Sequence, residues 1–272
     1  MANAKDITSA NSNILLIGDS GSHKTYLLGS IPGIYIFDFD KRLTILRGRD
    51  IEYDTFKDLA RDMKGGPAME KQGLYEFGHA WDAFWKKVQD LNELYLRGKG
   101  PPAVGLDSLT FLSMIAVNKI LRETGHPSPH QGTWGAHHDY FKTLLSMMTA
   151  WPCRLVATAH IERAMNDLTQ VSEKLPLLAG KLAGLLPAFF DETYFTDVEP
   201  DAAGKLKYVI KTDMNKTMRQ AKSTWGVPNN TPTEWESIKP YLPTEPGVQV
   251  VSPTPAKLLT RPTAPVKPAV VK

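Results

Sequence analysis

The chain has 272 residues, 42% of them hydrophobic and 22% charged, which is enough apolar material for a domain-sized core and excludes a chain disordered throughout. Its single cysteine, Cys153, excludes a disulfide framework and a cysteine-based zinc site. Residues 243–272 hold four basic residues and one acidic residue, so they account for the net charge of +3, and residues 1–242 balance at 28 of each sign. Net charge is therefore no argument that the body binds nucleic acid.

No segment of the sequence has the features of a membrane span or a secretory signal. The longest apolar stretch, residues 175–190, is interrupted by Lys181 and Pro187. Residues 1–13 lack the apolar segment of a signal peptide. We therefore expect a cytoplasmic protein without membrane contact.

Short apolar runs alternate with longer amphipathic runs along the body of the chain. The apolar runs predict strands at Ile14–Ile17, Ile34–Phe37, Val104–Leu106, Arg154–Ala159, Thr193–Thr196 and Tyr208–Lys211. The amphipathic runs predict helices at Lys24–Leu28, Ala80–Arg97, Leu109–Glu123 and Trp134–Ala150. This alternation predicts an α/β domain with a mainly parallel sheet, and the turn at Asp201–Gly204 predicts a hairpin at its edge. Functional residues are then expected at the carboxyl ends of the strands.

The composition changes near residue 243. Residues 243–272 contain seven prolines and show neither helical nor strand periodicity. The sequence thus predicts a folded domain over residues 1–242 and a flexible proline-rich tail over residues 243–272, either a linker or a partner-binding segment.

A phosphate-binding loop is predicted between the first strand and the first helix. The segment reads Gly18-Asp19-Ser20-Gly21-Ser22-His23-Lys24-Thr25. Backbone N–H groups of such a loop surround phosphate, Lys24 reaches the β and γ phosphates, and the Thr25 hydroxyl binds Mg²⁺. The alternative is a surface turn that happens to contain a lysine.

One residue of this loop departs from the Gly-x-x-x-x-Gly-Lys-Ser/Thr pattern, because His23 occupies the second glycine position. If the backbone there has a positive φ, a side chain costs about 1–2 kcal/mol. His23 would then weaken phosphate binding or reshape the loop.

Polar side chains at three other strand ends complete the predicted site. Asp107 follows an apolar strand and could orient Mg²⁺ through water; alternatively, Asp107 or Ser108 could cap the next helix. Asp38 and Asp40 are two residues apart and would point the same way on a strand, so one could polarise a water; a solvated strand end is the alternative. His160 could respond to the γ-phosphate, or be a simple hydrogen-bonded histidine.

Taken together, these segments resemble the RecA-like P-loop phage ATPases, especially the phage ATP-binding proteins proposed as single-strand annealing recombinases. The resemblance covers about residues 12–240. It is carried by these segments: Gly18–Thr25, Tyr35–Asp40, Val104–Leu109, Val156–His160, Leu178–Lys181, Phe190–Glu192 and Ala221–Ser223.

The resemblance implies a RecA-like core that binds ATP and Mg²⁺ between the subunits of a homo-oligomer, in the host cytoplasm if the protein is phage-encoded. It implies that Asp40 activates water, although Asp is shorter than the usual Glu, and that His160 couples nucleotide state to DNA. Residues 161–178 and 125–135 correspond to mobile DNA-facing loops. It also implies that Trp134, Arg163, Lys174 and Lys181 contact single-stranded DNA; an ordinary surface loop is the alternative. Arg219 and Lys222 would contact the ATP of a neighbouring subunit, or form a simple basic surface turn.

Two further classes of function stay open at this point. A DNA-independent P-loop NTPase or kinase would share the loop, although Arg42, Arg47, Arg49 and Arg61 are too scattered in sequence to predict an arginine-rich lid. A non-hydrolysing nucleotide-binding module would explain His23 and the short Asp40.

Overall fold

The computed structural model describes residues 12–167 and 169–243, so residues 1–11 and the predicted tail after Pro243 lie outside it. The described strands are, in chain order, β1 (Ile14–Gly18), β2 (Ile34–Asp38), β3 (Glu52–Thr55), β4 (Lys57–Asp58), β5 (Leu74–Tyr75), β6 (Ala103–Asp107), β7 (Arg154–Asn166), β8 (Val171–Pro176), β9 (Glu192–Pro200), β10 (Leu206–Lys211), β11 (Lys222–Ser223) and β12 (Thr231–Pro232). The α-helices are α1 (Lys24–Leu28), α2 (Pro67–Glu70), α3 (Ala80–Leu96), α4 (Leu109–Thr124), α5 (Gln131–Met148), α6 (Leu182–Leu185) and α7 (Trp235–Ile238).

The central sheet has the strand order β12-β10-β9-β1-β7-β6-β2-β3. Strands β9, β1, β7, β6, β2 and β3 run parallel, while β10 and β12 are antiparallel additions at one edge. The predicted α/β class, mainly parallel with a hairpin at the edge, is confirmed.

The sheet is the middle layer of three because both of its faces are apolar. Along β1, Leu15 and Ile17 face one core, built with α3, α4 and α5, whereas Ile14 and Leu16 face the other, built with α1 and α7. A strand buried on both faces has a continuous apolar sequence, which is why β1 could be predicted.

Differences from the predicted elements lie mostly at polar segments. Helix α5 begins at Gln131, inside the loop predicted over residues 125–135. Residues 161–178 are not an irregular loop: β7 continues past the sheet to Asn166 and pairs with β8 as an antiparallel hairpin. Within the described residues, no helix is long and apolar enough to span a membrane.

Candidate nucleotide-binding site

The predicted site residues meet where the parallel strands end. Gly18 at the end of β1 is in register with His160 on β7 and Thr196 on β9. Asp38 at the end of β2 is in register with Asp107 on β6. The sheet therefore gathers side chains that are widely separated in sequence at one edge.

Lys24 is buried at the start of α1, directly above the end of β1. Its Nζ donates hydrogen bonds to the carbonyl oxygens of Gly18, at 2.8 Å, and Asp19, at 2.7 Å. Burial lowers the pKa of Lys24 to about 8, against the opposing attraction of Asp107, Asp19 and Asp40. The ammonium group is thus held inside the loop, where phosphate oxygens could replace the carbonyls.

Two backbone positions explain the glycines of the loop. A Cβ at Gly18 would collide with the hydroxyls of Thr196 and Ser22, which lie 2.6 Å apart in a hydrogen bond. Gly21 has φ +80°, in the region that favours glycine. Both residues are required by the path of the chain between β1 and α1.

His23 does adopt a positive φ, +65°, so this position carries the cost of a side chain in the left-handed region. Its ring stacks on Tyr208 of β10, with centroids 3.2 Å apart and planes at 8°, and packs against Tyr26 on the other side at 5.1 Å. These contacts hold the histidine in a conformation that glycine would adopt without strain. Tyr208 was missed in the sequence analysis because it is 185 positions away from His23.

Asp107 is a buried acceptor for two threonines. The Thr25 hydroxyl donates to its Oδ2 at 2.7 Å, and the Thr158 hydroxyl on β7 donates to its Oδ1 at 2.5 Å. Ser108 rather than Asp107 is the N-cap residue of α4, and it makes no side-chain capping bond. Of the two residues that could cap this helix, Ser108 therefore holds the N-cap position, and the Asp107 carboxylate instead faces the loop. The Asp107–Ser108 peptide bond is cis.

Strand β2 ends at Asp38, so the prediction that Asp38 and Asp40 both lie on a strand is wrong, although their side chains are in hydrogen-bond contact. Asp38 accepts hydrogen bonds from the Lys41 backbone N–H at 2.8 Å and the Thr55 hydroxyl at 2.9 Å. Asp38 therefore organises the turn after β2.

Of the two carboxyl groups, that of Asp40 has the features of a proton acceptor. Among the described residues, its buried Oδ1 has no hydrogen-bond partner. Burial, together with the charges of Asp107 and Asp38, raises the pKa of Asp40 to about 7. A carboxyl with this pKa can accept a proton near neutral pH.

His160 is half-buried at the point where β7 leaves the sheet. Its backbone N–H donates to the Thr110 hydroxyl at 3.0 Å, and its ring packs edge-on against Phe111. Burial, and secondarily the charge of Lys24, lowers its pKa. His160 thus lies between the loop and the β7–β8 hairpin, and its role as a switch stays a prediction.

The residues predicted to contact DNA fall into two groups. Arg163 and Lys174 are cross-strand neighbours on the hairpin; Arg163 pairs with Asp19 of the loop at 2.7 Å and Lys174 with Asp197 at 3.4 Å. Trp134, in the first turn of α5, is 38% exposed and lies near Gly180, with exposed Lys181 next in the chain.

Arg219 and Lys222 lie away from the loop of their own chain. Arg219 pairs with Glu173 of the hairpin at 3.2 Å. Lys222 is in register with Thr193, and its Nζ donates to the Phe190 carbonyl at 2.6 Å. Their predicted role concerns a neighbouring subunit and stays a prediction.

The side chains fit Mg²⁺ bound together with a nucleotide. Within the described residues, no three His, Cys, Asp or Glu side chains form a metal cluster. Mg²⁺ in nucleotide sites is held by one or two protein groups, phosphates and water. The adjacent Thr25 hydroxyl and Asp107 carboxylate meet that requirement.

The loop and Asp107 reach each other across β7, which lies between β1 and β6 in the sheet. A phosphate-binding loop and an acidic strand end thus lie together at one edge of a mainly parallel α/β sheet. The chain belongs to the AAA domain family, whose model matches residues 10–225.

Two solved structures are similar in fold. One is an ATPase from the type III secretion system of pathogenic bacteria, with 15% identity and a TM-score of 0.41, covering 69% of this chain and 51% of that one. The other is a KaiC-like protein from the archaeon Pyrococcus horikoshii, with 13% identity and a TM-score of 0.38, covering 79% and 82%. The chain thus spans about half of the secretion ATPase. No curated protein is significantly similar in sequence.

Proposed function

We propose that the chain binds ATP with Mg²⁺, hydrolyses it, and couples hydrolysis to assembly on single-stranded DNA and to strand annealing in phage recombination. The observation that carries the nucleotide part is the hydrogen bond between the Thr25 hydroxyl and Asp107, beside the buried Lys24. The DNA part is supported by the resemblance of the ordered motifs and by the exposed β7–β8 hairpin next to the loop.

Each side chain has a defined part in the proposed reaction. The loop N–H groups and Lys24 bind phosphate oxygens. Lys24 gives up its hydrogen bonds to the Gly18 and Asp19 carbonyls to do so. Thr25 and Asp107 would hold Mg²⁺, and the ion would neutralise phosphate charge. Asp40 accepts the proton of the attacking water because its pKa is near neutrality.

In the proposed coupling, His160 transmits nucleotide state to the hairpin, and a homo-oligomer places Arg219 and Lys222 of one subunit at the ATP of the next. Trp134, Arg163, Lys174 and Lys181 are the contacts proposed for DNA.

Phosphate release from ATP–Mg²⁺, measured with and without single-stranded DNA, tests this function. We expect DNA-stimulated release by the wild type, loss of release in Lys24→Ala, and faster annealing of complementary strands. Lys99→Ala, an exposed lysine at the opposite end of the sheet, is the matched control. Failure to retain single-stranded DNA or to speed annealing would contradict the DNA part alone.

A DNA-independent NTPase or kinase is the second candidate, and one observation favours it. Three basic residues around the hairpin, Arg163, Lys174 and Arg219, are already paired with carboxylates of the same chain. Release that is insensitive to DNA supports the NTPase, and phosphoryl transfer to an acceptor supports the kinase. Binding without turnover supports a non-hydrolysing module.

A further inference from the structure

A large groove lies beside the nucleotide site, along the edge strand β3. It has a volume of about 1070 Å³ and extends from Asp38 past Tyr53 to Lys71 after α2 and Lys86 on α3. Strand β3 pairs with β2 on one side and is the end of the sheet in the described part of the chain. The groove is therefore open to solvent along its length and connects directly to the turn that holds Asp40.

The groove is positively charged. Six basic and four acidic side chains line it. Lys87 is paired with Asp54 at 2.8 Å and Lys86 with Asp90 at 3.0 Å, so these four residues largely cancel one another. The excess positive charge comes from the other basic residues of the lining.

Three of those basic residues are available to a ligand. Lys41, Arg47 and Lys71 are exposed, and none has a carboxylate within ion-pair distance among residues 12–167 and 169–243. The acids that remain are Glu70 and the buried Asp38. The arginines of this region are scattered in sequence, but Arg47 and Arg49 both line the groove.

An aromatic ring is also free in the groove. Tyr53 on β3 is 55% exposed, and within the described residues its ring stacks on no other aromatic side chain. Unpaired cations beside an exposed aromatic ring are the combination that binds a phosphodiester backbone and its unstacked bases.

We propose that this groove, rather than the hairpin, is the main binding surface for single-stranded nucleic acid, with Arg47 and Lys71 contacting phosphates and Tyr53 stacking on a base. This inference rests on the proposed function and names where its DNA binds. It differs from the expectation for Arg163 and Lys174, because those cations already have acidic partners.

The same groove offers a route from DNA to the reaction. Lys41 follows Asp40, and its backbone N–H is bonded to Asp38. A phosphate that attracts the Lys41 side chain therefore acts on the turn that holds the proposed base. DNA in the groove would in this way alter hydrolysis without touching ATP.

Fluorescence anisotropy of a labelled oligothymidine with the full chain tests the groove. We expect Arg47→Glu with Lys71→Glu to weaken DNA binding at least about tenfold and to reduce the slope of log affinity against log salt by about 1.4. Tyr53→Ala should weaken binding about tenfold with little change in that slope. The control, Lys99→Glu with Lys205→Glu, reverses two exposed lysines elsewhere and should bind like the wild type.

The affinity for ATP–Mg²⁺ is measured on every variant in the absence of DNA. We expect it to be unchanged, which would show that each variant is folded. A crosslink from 5-iodouracil DNA to Tyr53 would support the groove. DNA binding by the groove variants as tight as that of the wild type, or a crosslink to Trp134 without one to Tyr53, would overturn the inference and leave the proposed function standing. A wild type that binds no single-stranded DNA would overturn both the groove and the DNA part, while nucleotide turnover could still hold.

Discussion

At the residue scale, Asp40 is the group on which the proposed hydrolysis depends most. Asp40→Asn should lower kcat by about 100-fold or more while leaving nucleotide affinity within a fewfold, because the amide cannot accept the proton. Single-turnover phosphate release and equilibrium ATP binding measure the two effects. Equal losses in both would show that Asp40 serves binding rather than proton transfer.

The raised pKa of Asp40 also predicts how this variant changes stability with pH. The folded state holds the Asp40 proton more tightly than the unfolded chain, in which the pKa of Asp40 is near 3.8. The contribution of this proton to the free energy of unfolding is therefore fully present below about pH 4 and is lost as pH rises through about 7. Asp40→Asn should therefore melt at a higher temperature than the wild type at pH 8, and the difference should shrink toward pH 4. A variant less stable than the wild type at pH 8 would contradict the burial argument.

Two pKa values of the nucleotide-free site predict its pH–rate profile. Loss of the Asp40 proton near pH 7 leaves a carboxylate that can accept a proton from water. Loss of the Lys24 proton near pH 8 weakens phosphate binding. The profile of kcat/KM should rise to about pH 7 and fall above about pH 8. Because the carboxyls of Asp38 and Asp40 interact, the lower limb of the profile reports the pair as a unit.

The stack of Tyr208 on His23 predicts a second residue-scale result. Tyr208→Ala should weaken ATP binding, since His23 then loses its closest stacking partner and keeps only Tyr26, whereas Tyr208→Phe keeps the stacking and should bind like the wild type. His23→Gly should restore binding to Tyr208→Ala because glycine adopts this φ without strain. Calorimetric titration with ATP–Mg²⁺ measures all three. Failure of the glycine to rescue would contradict this account of the loop.

At the scale of elements, the β7–β8 hairpin is joined to the phosphate loop by the exposed Arg163–Asp19 ion pair. Exposed pairs contribute roughly 0–1 kcal/mol, so Asp19→Asn should change the melting temperature little. It should instead speed amide exchange of residues 161–176 at low salt, as high salt should do in the wild type. Asp213→Asn, which removes an exposed acid elsewhere, is the control. Faster amide exchange in the core strands as well would contradict an ion pair that stabilises the hairpin alone.

The sequence predicted the strands that contain an apolar run, including β10 of the edge hairpin, and missed the polar strands at edges. Strand β1 and helix α1 were predicted within a residue because an apolar run and a glycine-rich turn mark them. Strand β3 reads Glu-Tyr-Asp-Thr and β8 contains Ser172, Glu173 and Lys174, so neither has an apolar run. Their pairing with β2 and β7 depends on tertiary context that local pattern does not contain.

In the candidate site, too, residues in local motifs could be predicted and their partners from other strands could not. The loop and Asp107 are local motifs, and their positions follow from strands that end at one edge of a parallel sheet. The partners Thr158, Thr196 and Tyr208 come from other strands, and a single hydroxyl or ring at a strand end has no distinctive local pattern. The different roles of Asp38 and Asp40 depend on where β2 stops, which is the least predictable feature of an element.

At the scale of the whole molecule, the proposed oligomer predicts complementation between inactive variants. Lys24→Ala should lack its own phosphate site, and Arg219→Ala should lack the residue proposed to act on a neighbour. Mixing them should restore part of the activity, because some interfaces then combine an intact loop with an intact arginine. Phosphate release from the mixture measures this, and an activity no higher than that of the two variants separately would contradict an ATP site shared between subunits.

The most direct test of the central claim, that ATP–Mg²⁺ binds at the carboxyl ends of β1, β2 and β6, is the melting temperature with and without this ligand. At one hundred times the dissociation constant, binding contributes about 2.7 kcal/mol, or roughly 5–10 °C for a domain of this size. We predict this increase in the wild type and its loss in Lys24→Ala. An unchanged melting temperature in the wild type, or an equal increase in Lys24→Ala, would contradict the account.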